Sequence, residues 1–188
     1  AQGSLAGTRG WDVDGTGVGI AVISDSYSNK GTSAAIELQN VTVVEDLPGG
    51  GSDEGRAMLE IVHDVAPGAN LFFRTGFISE YDFAEGIDEL ANETENPGVD
   101  IIVDDLTYLK EPYFKDGIVA QAIKRAVTDP TDPEIYFSAA GNFGNRSYEA
   151  SFSGTETSPN IWRHDFGTDN GLQEVTLSQG LYVIGLQW

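Results

Sequence analysis

What most constrains this chain is an alternation: between residues 19 and 140, short apolar runs of strand length are separated by polar turns and by longer stretches with apolar residues at helical spacing. Ile20–Ile23 reads as a buried strand that stops at the small polar residues Ser24-Asp25-Ser26. Residues 32–39 suit a short helix and Val41–Val44 a second strand. After Pro48-Gly49-Gly50-Gly51, Ser52 stands where an N-cap belongs. Asp53 and Glu54 follow in the first turn of a helix over 53–64, where the helix dipole favours negative charge, and Met58, Ile61, Val62 and Val65 form its apolar stripe. Ala69–Phe73, Val99–Val103 and Ile135–Ala140 read as further strands, Ser79–Ala91 and Ile118–Val127 as helices. Such an order predicts an α/β fold: a mostly parallel sheet with helices on both faces, joined by right-handed crossovers.

From about Ser147 the pattern changes. Gly, Ser, Thr and Asn dominate, and Glu174–Leu177 and Leu181–Leu186 alternate as antiparallel strands do. Residues 1–150 are therefore read as the α/β part, and 151–188 as the start of a small antiparallel β segment.

Charge narrows the function. Of 188 residues 30 are acidic and 10 basic, for a net charge of −20, so binding that works by neutralising nucleic-acid phosphates or anionic lipid is excluded as a role. Without cysteine there is neither a disulfide framework nor a thiolate zinc site. No window is apolar enough to span a membrane, and the first residues lack the pattern of a signal peptide. Most of the charge reads as a solvated, halophile-type surface; no cofactor is required, and calcium stays open as a ligand of the acids.

Several local motifs reduce to structure. Gly15, Gly17 and Gly19 precede a strand, whereas a dinucleotide loop follows one and opens a helix; they serve close packing instead. Asp12-Val13-Asp14-Gly15 begins like a calcium loop but has no Glu at the twelfth position, and reads as a turn. His63 and His164 lack the spacing of a zinc pair. The informative residues stand at the carboxyl ends of the predicted strands, where reacting groups gather in open α/β sheets: Ser24-Asp25-Ser26, Asp104-Asp105, and Ser138-Ala139-Ala140-Gly141-Asn142, with Asp53-Glu54-Gly55 at a helix start.

In their chain order these segments resemble the subtilisin-like serine peptidases, and also their acid-active relatives, the sedolisins. The strand running into Ser24-Asp25-Ser26 is similar to the segment bearing the family's catalytic aspartate. Glu54-Gly55 opening a helix, followed by Ala66-Pro67-Gly68-Ala69, looks like the segment of the catalytic histidine. Asp100–Asp105 resembles the strand lining the substrate groove, and Ser138–Asn142 the strand end that carries the oxyanion asparagine. The likeness covers about residues 11–146 and implies Asp25, Glu54 and Asn142 as catalytic positions, with Asp105, Leu106 and Thr107 as a substrate-binding edge.

This chain departs from the family at three points. An ungapped match puts Ser24 where the acid belongs; Asp25 is preferred, because a serine cannot supply the charge that supports a protonating base. Glu54 replaces the histidine, as in sedolisins, yet their aspartate one turn later is matched here by Met58. No Gly-Thr-Ser nucleophile segment follows Asn142; Gly31-Thr32-Ser33 copies its letters but lies before the base helix, and reads as the start of the short helix. The resemblance thus implies the N-terminal portion of a serine endopeptidase hydrolysing peptide bonds by acyl transfer with a carboxylate base. Its nucleophile is expected beyond Trp188, its isolated chain inactive, its location extracellular or at the cell surface, and its partners a polypeptide substrate and the remainder of its own parent chain. The alternative is a non-catalytic peptidase-like domain used for binding or assembly, with a halophile-type acidic surface.

Overall fold

A computed structural model describes residues 13–31, 38, 40–92, 94, 98–144, 146–167 and 171–187. They form two compact units, one up to Gly141 together with Gln187, the other Asn142–Leu186. The second unit thus starts ahead of the change in composition near residue 150.

In the first unit, β1 (Gly19–Ser24), β2 (Val41–Glu45), β3 (Asn70–Thr75), β4 (Ile101–Asp104) and β5 (Ile135–Ser138) make one sheet in the order β2-β3-β1-β4-β5. Every pair in it is parallel. The helices are α1 (Glu54–Val65), α2 (Glu80–Leu90) and α3 (Ile118–Val127). The α/β architecture read from the alternation is the one observed, with element ends shifted by a residue or two. The short helix expected over 32–39, with Ser33, lies outside the described residues.

Alternation along the strands sorts the core onto two faces. Ala21, Ile23, Phe72 and Ile102 pack against Phe83, Ala84, Ile87 and Leu90 of α2 and Val119, Ala122 and Ala126 of α3. Val22, Leu71 and Phe73 point the other way, against Met58, Leu59 and Val62 of α1. Each fully buried Leu, Ile or Phe among them contributes about 1.5–3 kcal/mol. Gly19 is required where β1 begins: a Cβ there would sit 1.5 Å from the Gly98 carbonyl oxygen. Of the glycines before β1, Gly15 serves close packing, its Cβ place lying 2.8 Å from Ala66 Cβ, whereas Gly17 has open space around it and a φ of 86° that favours glycine.

One expectation is corrected. The crossovers β2-α1-β3, β3-α2-β4 and β4-α3-β5 all step the same way across the sheet, yet α1 lies on the opposite face from α2 and α3. The hand of β2-α1-β3 is therefore opposite to that of the other two, and with those of the common right hand it is the rare left-handed unit. Residues 46–53, with Gly49 and Gly50 at φ 159° and 86°, let the chain cross above the carboxyl ends of the strands to reach that face. The consequence is positional: the N-terminus of α1 comes to rest beside the end of β1.

The second unit holds an antiparallel pair, β6 (Gly154–Ser158) and β7 (Ile161–His164). Pro159 and Asn160 turn the chain, Asn160 in the left-handed region at φ 64°, the residue preference of a type II turn. The strands expected at Glu174–Leu177 and Leu181–Leu186 do not form; these residues carry no ladder and are largely exposed. Alternation alone misplaced them, because a strand needs a partner and the Pro-Asn turn supplies one only to residues 154–164.

Candidate functional site

Chain leaving β1 runs toward the β2 side of the sheet, and chain leaving β4 runs toward β5. The carboxyl ends of these adjacent strands therefore diverge, which is where open parallel sheets hold their ligands. Ser24-Asp25 and Asp104-Asp105 stand there, with the start of α1 above them.

Side chains bind the loop after β1 to the start of α1. Asp25 accepts hydrogen bonds from the Ser52 hydroxyl at 2.7 Å, the Glu54 N–H at 3.1 Å, and the Ser52 and Ser26 N–H groups. Buried Ser26 accepts from the Asp53 N–H at 2.8 Å and donates to the Asp53 carboxylate at 2.9 Å. Asp53, held at φ 64°, also accepts from the Asn29 and Lys30 N–H groups at 2.6 and 2.8 Å and meets Arg56 at 3.5 Å. Thr75 secures the same loop from β3, its hydroxyl donating to the Asp25 carbonyl at 2.7 Å. Burial pushes the Asp25 and Asp53 carboxyls up, but these hydrogen bonds outweigh it and hold both below the usual carboxylate range.

Ser52 is therefore not the cap expected of it. The helix starts at Glu54 from Asp53, whose side chain makes no capping bond, and the Glu54 N–H, one of the free donors of the first turn, is served by Asp25 across the fold. Asp25 and Glu54 do meet, through the Glu54 backbone rather than carboxyl to carboxyl; the Glu54 side chain is exposed.

A second set of acids follows β4. Register pairs Ile23 with Asp104, so the next two residues, Ser24 and Asp105, lie side by side on the face covered by α1. Burial raises the Asp105 carboxyl; the Ser24 hydroxyl works against this, and the charges of Glu54 and Asp104 add to it. Asp104 points to the opposite face, accepting from Ser138 Oγ at 3.1 Å and Leu106 N at 3.2 Å. It is 2% exposed, and burial raises its carboxyl more than Tyr136, Ser138 and Leu106 lower it. The Tyr136 hydroxyl beside it is pushed far up, by burial first and then by the Asp104 charge.

Of the expected substrate edge, Asp105 is half-buried beside Ser24, Thr107 is exposed, and Leu106 turns inward against the α2 side of the core, lying close over Gly76. Asn142 is an exposed residue of the second unit. Sequence reasoning did not single out the anchoring role of Asp53 or the place of Ser24 beside Asp105; parallel pairing of β1 with β4 is the signal that exposes the latter. The grooves around Asp88 and Asn92, lined from α2 and α3, share no residue with this cluster. Among the described residues no group of three or more His, Asp or Glu is placed to hold a metal ion, and no helix is long and apolar enough to cross a membrane.

No protein-family model, curated protein or solved structure matches this chain.

Proposed function

We propose that this chain carries the base-bearing part of a serine endopeptidase of the subtilisin and sedolisin kind, with Glu54 as general base, a polypeptide as substrate and an extracellular or cell-surface setting. The observation that supports this reading most is the hydrogen bond of the Glu54 N–H, at the first position of a helix, to Asp25 just past the carboxyl end of β1. In the reaction, a serine hydroxyl attacks the peptide carbonyl carbon and gives its proton to the Glu54 carboxylate. That proton then passes to the leaving amine. Residues 143–188 contain no Gly-Thr-Ser, and the proposal takes the serine from outside these 188 residues.

A carboxylate base sets the test. Its reference pKa is about 4.3 against about 6.5 for imidazole, so peptide hydrolysis by the natural polypeptide that contains residues 1–188 should persist at pH values where a histidine base is already protonated. Glu54→Gln should cost about 100-fold or more in kcat. An acid limb near neutrality, or full activity in Glu54→Gln, overturns the reading.

A second reading, a peptidase-like domain used for binding or assembly, is favoured by the commitment of Asp25 to the backbone and hydroxyl donors of Ser52 and the Glu54 N–H. It expects extended peptides to bind, by calorimetry, equally well to the natural protein and its Glu54→Gln variant, with no hydrolysis by either.

A further inference from the structure

Register puts Ile101 and Val103 of β4, and Ile135 and Phe137 of β5, on the face of the sheet that α1 covers at β1 and β3. Ile101 and Val103 are only half-buried there, and Ile135 and Phe137 are each more than half exposed. On the other face the same two strands are closed over by α3. Helix α1 walls the open strip. Arg56 reaches back to Gly31 and Asp53 on the β2 side, whereas Glu54, Met58, Ile61 and Val65 fall at helical spacing on the opposite flank, toward β4. Ile61 and Val65 are again more than half exposed. Floor and wall together make an apolar trough between α1 and the β5 edge.

Parallel sheets bury both faces, and among the described residues this one is finished on one face only. Beyond β1, the strands β4 and β5 add a strip about 10 Å wide, the diameter of one helix. The three crossover helices all start at the carboxyl ends of the strands. A helix laid in the trough with the same sense brings the positive end of its dipole to the end where Asp105 and Glu54 stand. A second copy has no such helix to offer among its described residues: the apolar faces of α2 and α3 are already buried in its core, and −20 on each chain opposes association. We propose that the trough between α1 and β5 is a docking surface for one amphipathic helix, about three turns long like α1, supplied by the natural polypeptide from outside residues 1–188. Its apolar stripe covers Ile61, Val65, Ile135 and Phe137, and its N-terminus meets the acids at the strand ends. Such docking goes beyond the peptidase reading: it shares with it only the need for further polypeptide, and holds whether or not Glu54 is a base.

The 188 residues contain no cysteine, so a thiol placed in the trough reports on its cover. Phe137→Cys on the floor and Ile61→Cys on the wall each change an exposed side chain, a substitution the fold tolerates. Each variant is labelled with a maleimide in the 188-residue chain and in the natural polypeptide that contains it, and the rate at the new thiol is read by mass spectrometry. Both should react freely in the 188-residue chain and about 100-fold more slowly or less in the natural polypeptide, where labelling waits for the helix to lift. Equal rates in the two proteins overturn the proposal. Slowing of Phe137→Cys while Ile61→Cys stays fast marks a strand added at the β5 edge, and also overturns it. Slowing that grows with concentration in the 188-residue chain marks a second copy as the occupant, and overturns it too. Full activity in Glu54→Gln overturns the peptidase reading and leaves these rates unchanged, so the two failures are distinguishable.

Discussion

Asp25 and Asp105 are both acids at strand ends, and their surroundings drive them apart. Asp25 is held low by donors from Ser52, Ser26 and Glu54 against the opposing effect of burial, so it adds stability above the ordinary carboxylate range and loses it as pH falls through its own lowered midpoint. Asp25→Asn should cost about 1 kcal/mol in urea unfolding at neutral pH, as lost caps do, and that cost should shrink in acid. Asp105 runs the other way: burial, with Glu54 and Asp104, raises it, so its ionised form costs stability above the folded midpoint and the cost disappears as pH falls through it. Asp105→Asn should therefore melt higher than the wild type at neutral pH and lose that advantage in acid. The sequence made both residues candidates by their place after apolar runs; that Asp105 lies beside Ser24 depended on the pairing of β1 with β4.

At the scale of elements, two helices take their caps from a distance. Asp25 serves α1, and Glu111 Oε1 accepts from the Val119 and Ala120 N–H groups at 3.1 and 3.2 Å at the start of α3, where Gly117 has no side chain to offer. Among the helices of the described residues, α2 alone carries the local signal, Ser79 accepting from the Asp82 N–H at 3.1 Å. Capping arguments from sequence find the local cap and miss the other two. The position of α1 on its sheet is set by Gly55, where a Cβ would lie 2.2 Å from Phe73 Cε2, a ring with no room to retreat. Gly55→Ala should cost about 1–3 kcal/mol by overpacking. Calorimetric melting checks that expectation.

Across the molecule, acidity and burial compete. Arg74 on β3 is 4% exposed and meets Glu45 at 2.8 Å, Asp82 at 2.9 Å and Glu89 at 3.3 Å, tying β2 and α2 to the sheet. Burial acts against its charge, but these carboxylates outweigh it and hold the guanidinium charged. Arg74→Ala should cost about 3 kcal/mol by stranding that cluster, and Arg74→Met, which keeps the volume, distinctly less. A net charge of −20 repels itself in the compact state. The melting temperature should therefore climb from low salt to about 1 M, where the screening length falls to about 3 Å; a fall would mean that surface ion pairs outweigh the repulsion.

The sequence by itself determined the α/β class, the approximate strands and helices of the first unit, and the gathering of acids at strand ends, because these follow from periodicity and from the chemistry of short segments. Only the tertiary structure decided the hand of β2-α1-β3, the remote caps and the place of Ser24 beside Asp105. The reason is common to all three. Each depends on which distant segment a strand or a free N–H group pairs with, and that choice is made by packing the two faces of the sheet together.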